Sequence, residues 1–215
     1  MKKLLCKTFA LVFLLTSVLT NLTTINSFAL PNLYSEGIYL MDGTTGKVLY
    51  EKNANVQYMP ASTTKVMTAI IALENSKLDE QVTIGENPPL ADGSSLGLAQ
   101  GEVYTMEELL LGLLLESGND CAEAIAEHIS GSNEEFAKLM NKKAIELGAT
   151  NTNFKNPSGL TEEGHLTTAH DLALIMRYAS QNADFVRISQ TPYHFYENHP
   201  FSDGSEKWAT NHNHL

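Results

Sequence analysis

The chain has 215 residues, 43% of them apolar, which is enough for one core of its own. Its formal net charge of −11 argues against nucleic acid as a partner, because that requires a basic face. Only two cysteines occur, Cys6 and Cys121.

The first segment stands apart. Met1-Lys2-Lys3 and Lys7 precede an apolar run centred on Leu11 to Leu15, and Ser27-Phe28-Ala29 is a small-x-small ending. That order predicts a secretory signal peptide over residues 1–29, cut after Ala29. The apolar run is shorter than the ~20 residues of a spanning helix. Residues 30–215 remain as one domain, with 11 basic and 25 acidic side chains and a net charge of −14. Cys6 precedes the apolar run and is no lipidation site. Cys121 sits in an Ala-rich helical pattern and reads as packing. No disulfide can form in the mature chain, so stability must come from the core.

Residues 36–42 and 46–51 read as two strands joined at Gly43-Thr44-Thr45. A loop over 53–60 leads to a helix over 62–75 that is apolar nearly all round, hence buried. Residues 81–84 form a short strand, and 85–101, rich in Gly, Pro and Ser, form a loop. Thr105 with Glu108 makes a capping box for a Leu-rich helix ending at Ser117-Gly118-Asn119, with Gly as the stop. Helices follow at about 120–130 and from Ser132 to about Leu147, the latter opened by a box with Glu135 and closed by Gly148. Asn156-Pro157-Ser158-Gly159 is a turn. Thr168 with Asp171 caps a helix to about Gln181, a shorter helix covers 183–189, and strand is expected around 191–197. The order implies an α+β fold.

Two short motifs carry chemistry. Ser62 and Lys65 are three apart at a helix start, so they share a face, and a neutral lysine can activate a serine. Ser-x-x-Lys alone arises about once in a chain of this length, and such a serine is equally an N-cap. Ser117 and Asn119 lie at a helix junction. A hydroxyl there can relay a proton, and an amide can both donate and accept.

Taken together, Met59-Pro60-Ala61-Ser62-Thr63-Thr64-Lys65-Val66-Met67-Thr68-Ala69 and Leu114-Leu115-Glu116-Ser117-Gly118-Asn119-Asp120 resemble the low-molecular-mass penicillin-binding proteins. These are secreted serine D-alanyl-D-alanine carboxypeptidases. Asp42 to Leu49, Phe154 to Leu160 and Thr167 to Ala173 look like that family's flanking segments. The resemblance implies a β-lactamase/transpeptidase-like fold, with a helical lobe and an antiparallel sheet. It implies Ser62 as nucleophile, Lys65 as its base, Ser117 as proton relay to the leaving D-alanine, and Asn119 as a holder of substrate and Lys65. The partners implied are a peptidoglycan stem peptide ending in D-Ala-D-Ala and β-lactam inhibitors, outside the cytoplasm. No cofactor and no metal are implied.

One family feature is missing. No Lys-Thr-Gly box occurs in the 215 residues. The expectation is a chain truncated before that box, with an incomplete sheet, an exposed edge beside strands 36–42 and 46–51, and half a site. The family's C-terminal tail, which associates peripherally with the membrane, is absent too. Two other readings stay open: a class A-like β-lactamase, though no Glu-x-x-Leu-Asn string is present, and an inactive wall-binding homologue. His194, His199, His212 and His214 match no metal motif and read as polar tail residues. His165 and His170 read as structural. Tyr193, Phe195, Tyr196, Phe201 and Trp208 are expected to pack rather than bind sugar.

Overall fold

The computed structural model describes residues 33–212. The chain divides into two units, Met1–Ser35 and Glu36–Leu215. The described part of the first, residues 33–35, holds no regular element, and the leader expected over 1–29 lies outside the described residues. Every helix and strand among the described residues belongs to the second unit.

Ile38–Met41 (β1) and Val48–Lys52 (β2) pair antiparallel, with a register slip between Leu40 and Met41. Asp42 Oδ1 accepts from the Thr45 backbone N–H and hydroxyl, which closes the hairpin where the Gly-Thr-Thr signal placed it. Among the described residues this pair has no third strand, and Leu40, Val48 and Leu49 are exposed. The loop expected over 53–60 contains a short strand, Gln57–Tyr58 (β3). It pairs with Thr167–Thr168 (β6), a link too distant in sequence for local pattern to show.

The helix Lys65–Asn75 (α1) is buried as its apolar circumference requires, with Met67, Ala69, Ile70, Ile71 and Ala72 all enclosed. Four more strands, Gln81–Thr83 (β4) with Val103–Thr105 (β5) and Tyr193–Phe195 (β7) with Trp208–Thr210 (β8), form two further antiparallel pairs. The other helices are Met106–Leu115 (α2), Asn119–Ser130 (α3), Asn133–Glu146 (α4), Ala169–Ala179 (α5) and Ala183–Ser189 (α6). All five touch α1, so α1 is the axis of the core. None of the described helices is long and apolar enough to cross a membrane.

Caps follow the sequence signals. Thr105 and Glu108 bond reciprocally, at 3.2 and 2.7 Å. The Ser132 hydroxyl accepts from Glu135 N, while the Glu135 carboxylate pairs with Lys138. Two expectations are corrected. Gly118 is not the left-handed stop of α2: Ser117 takes that conformation, with φ 57°, and Gly118 has φ −59° and precedes α3. The glycine is used instead for close approach, since a Cβ on it would stand 2.8 Å from Asp120 Oδ1. Of the tail aromatics, only Tyr196 is fully buried, its hydroxyl donating to the Glu108 carbonyl at 2.9 Å. Tyr193, Phe195, Phe201 and Trp208 stay partly exposed. The β7–β8 ribbon covers one face only, so alternate side chains point to solvent, where Phe195 stacks on Trp208.

Leu110 is wholly buried in α2 within the central cluster. Leu110→Ala should lower stability by about 2–5 kcal/mol in urea denaturation, and a loss below about 1 kcal/mol would show that this layer is not close-packed.

Candidate active site

Ser62 is not a helix cap. It lies inside a 3-10 turn, Ala61–Thr64, that runs directly into α1, and no side-chain cap bond forms at either start. Ala61, just ahead, has φ 48°, a left-handed conformation costing a non-glycine residue roughly 1–2 kcal/mol. The turn sets Lys65 Nζ 3.3 Å from Ser62 Oγ.

Lys65 is 3% exposed. Its Nζ donates to Asn119 Oδ1 and to the Ser158 carbonyl, each at 2.7 Å. A neutral amine has two hydrogens and one lone pair. The two acceptors take both hydrogens, which leaves the lone pair for the third neighbour, the Ser62 hydroxyl. Burial lowers the Lys65 pKa from 10.5 to about 8, against the opposing influence of Cys121 and Asp120. Burial also pushes the Cys121 thiol well above its ordinary range. It is therefore uncharged at neutral pH, and Asp120 is the anion that acts on Lys65. The neutral form of Lys65 is therefore far more accessible near neutral pH than that of an exposed lysine.

The three groups around Lys65 come from three segments. Asn119 opens α3 and is 6% exposed; its Nδ2 donates to the Asp92 carbonyl at 2.6 Å, which turns Oδ1 toward Lys65. The Ser158 carbonyl is presented by the predicted turn, where Gly159 N donates to Asn156 Oδ1 at 2.8 Å. That turn is fastened to α1 by Thr68, whose hydroxyl donates to the Pro157 carbonyl at 2.6 Å. His165, fully buried, braces the other side. Its Nδ1 accepts from Lys155 N, so Nε2 carries the proton and donates to Thr64 Oγ1 at 3.1 Å. Burial holds its pKa down, in keeping with that neutral state.

The structure thus brings Ser62, Lys65 and Asn119 together. Ser117 sits two residues before Asn119, but among the described residues no hydrogen bond joins it to Ser62 or Lys65. The Ser158 carbonyl, Asp92 and the brace from His165 were not named as site groups from sequence. Backbone carbonyls have no residue signature, and the only signal was the Asn-Pro-Ser-Gly turn itself. His199 stacks on Tyr104, and His212 reaches Glu116 at 3.3 Å. His214 lies outside the described residues. Among the described residues no three His, Cys, Asp or Glu side chains gather as metal ligands would. A cleft of about 230 Å³ lined by Ile70, Leu73, Tyr178 and Phe185 lies along the far half of α1, and Ser62 is not among its lining residues.

The peptidase S11 family model, described as D-alanyl-D-alanine carboxypeptidase, matches residues 24–215. The D-alanyl-D-alanine carboxypeptidase DacF of Bacillus subtilis is 42% identical over 182 residues, covering 82% of this chain and 46% of that protein. DacB2 of Mycobacterium tuberculosis, of the same description, is 37% identical over 191 residues, covering 88% and 64%. The crystal structure of a D-alanyl-D-alanine carboxypeptidase from M. tuberculosis superposes with a TM-score of 0.81 at 35% identity, covering 88% of this chain and 70% of that one. A Streptomyces DD-transpeptidase mutant gives 0.78 at 31%, covering 86% and 77%. The α+β fold is therefore of the transpeptidase type. The chain spans about half the length of the Bacillus relative and somewhat more of the mycobacterial one.

A Cβ at Gly159, which has φ 89°, would stand 1.9 Å from the Ala61 carbonyl. Gly159→Ala should therefore lower stability by about 2 kcal/mol or more and displace the turn that holds Ser62. An unchanged urea midpoint would mean that the two turns are not locked together.

Proposed function

Because the chain belongs to the D-alanyl-D-alanine carboxypeptidase family, we propose that it removes the terminal D-alanine from peptidoglycan stem peptides through an acyl-enzyme on Ser62. The observation that carries this reading is the hydrogen-bond set of Lys65, with two acceptors at 2.7 Å and the Ser62 hydroxyl as the remaining neighbour. Ser62 Oγ forms a bond to the carbonyl carbon between the two D-alanines, and its proton passes to Lys65 Nζ. The C–N bond then breaks as the proton reaches the leaving amine. Ser117, on the junction that also carries Asn119, is the proposed relay for that transfer. The free hydrogen of the Asn119 amide is available to the substrate backbone. Water attacks the ester, Lys65 again takes the proton, and Ser62 is released. Penicillins, with a strained amide, acylate the same oxygen. The leader motif supports action outside the cytoplasm, at the cell wall.

Labelling with a fluorescent penicillin tests this reading. Ser62 should carry the label in a peptide map, and Ser62→Ala should abolish it; an unlabelled protein with Ser62 intact overturns the proposal. The sign of the pH dependence follows from Lys65. The base is the neutral amine, so the acylation rate should rise about tenfold per pH unit below its pKa of about 8 and level off above it. A rate that is flat between about pH 6 and 8, the roughly two units below the expected bend, would remove Lys65 as the base.

A further inference from the structure

Asp120 follows Asn119 in the first turn of α3 and is 1% exposed. Its oxygens accept five hydrogen bonds. Oδ1 receives Leu96 N at 3.0 Å and Cys121 N at 2.9 Å. Oδ2 receives Ser95 Oγ at 2.7 Å, Gly97 N at 2.9 Å and Leu98 N at 3.0 Å. Every partner is a donor, which suits the ionised carboxylate and compensates its removal from water. Four of the five belong to the single stretch 95–98, so one carboxylate shapes that loop.

The same loop, just upstream, holds Asn119. Asn119 N donates to the Ser94 carbonyl at 2.7 Å, and its Nδ2 donates to the Asp92 carbonyl. The second bond decides which end of the amide faces Lys65. If Asp92 moved, nothing would hold Nδ2 away from the lysine. From the other side, buried Lys207 donates to the Gly97 carbonyl at 2.7 Å and to Tyr104 Oη at 2.8 Å. The loop is thus fastened by two buried groups, one from α3 and one from the segment leading into β8.

We propose that Asp120 is a positioning residue: by shaping loop 92–98 it sets the amide of Asn119, and through it the hydrogen bonds of Lys65, with Lys207 bracing the loop from outside. This rests on the proposed role of Lys65 as base, since only then does its orientation matter to acylation. A carboxylate that merely stiffened a remote loop would lower stability without altering the Asn119 amide.

The test uses Asp120→Asn and the milder Ser95→Ala, which keeps the charge and removes one loop bond. Three quantities are read: the Lys65 titration by NMR of carbon-13 lysine-labelled protein, hydrogen exchange of the Asn119 side-chain amide, and the rate of penicillin acylation. Asp120→Asn should move the Lys65 midpoint toward acid by at least about half a pH unit, since an anion near a cationic amine is lost. It should slow acylation at least about tenfold. Ser95→Ala should speed exchange of the Asn119 amide several-fold and slow acylation about threefold, with Ser62 still labelled. Unchanged Asn119 exchange in Ser95→Ala overturns the proposal, and that arm decides even where Asp120→Asn does not fold. The NMR readings need no turnover. A wild-type chain that takes no penicillin label therefore sinks the carboxypeptidase reading alone, while the Lys65 and Asn119 signals still judge Asp120.

Discussion

Taking a lysine out of water sets the terms for the rest of this site. Two effects compete at Lys65 Nζ. The Asp120 anion and the acceptors Asn119 Oδ1 and Ser158 O favour the cation, while desolvation favours the neutral amine. Desolvation wins by more than two pH units, bringing the group down to about 8. A more exposed lysine with the same acceptors would stay charged and hold its proton firmly. A lysine buried without acceptors would be neutral, but its lone pair would have no fixed direction. Burial supplies the free pair, and the two oxygens aim it at Ser62.

That balance asks for rigidity from three segments distant in sequence, and each approaches the lysine through unusual backbone. Ala61 and Ser117 are two of the three non-glycine residues with positive φ among those described, and Gly159 has φ 89°. Such conformations persist where their surroundings over-determine them. Here the surroundings are the packed helices. Because α1 touches all five other described helices, a shift of Lys65 would disturb much of the core. The strain and the packing are therefore linked: the left-handed conformations of Ala61 and Ser117 cost local backbone energy at two lips of the lysine cage, and the apolar cluster around α1 holds them there.

How far this was legible in the sequence depends on the length scale of each signal. Caps and periodic helices use partners within four residues, so Thr105 with Glu108, Thr168 with Asp171, and the span 183–189 could be read directly. The Ser62–Lys65 proximity is likewise one helical turn. The Ser117-Gly118-Asn119 junction was placed correctly, but the division of labour within it was not. Glycine usually supplies the left-handed stop, whereas here its missing Cβ makes room for Asp120 and Cys121, and the serine bears the strain. The Ser158 carbonyl was invisible because it is backbone, and Asp120 because four of its five partners, three of them backbone N–H groups, lie in a loop twenty-odd residues away. The aromatics on the β7–β8 ribbon do pack, Phe195 and Tyr193 against Trp208, but their exposure could not be read for a related reason. Apolar character says that a residue gains from burial, but not whether a second layer reaches its face of the strand.

The lysine cage draws on residues 61 to 165, and none of its groups belongs to β1, β2, β7 or β8. The proposed activation of Ser62 draws on the helices and on the two turns lashed to them. The β1–β2 pair, with Leu40 and Leu49 facing solvent, supplies neither of the groups whose influence opposes burial at Lys65, Cys121 and Asp120. Preparing a nucleophile and receiving a substrate are therefore separable here. A lowered lysine pKa needs only the cage to be shut, whereas acylation also needs a carbonyl held against Ser62. A titration of Lys65 and a penicillin label therefore ask different questions of this chain: the first reads the cage, the second the reception of a carbonyl at Ser62.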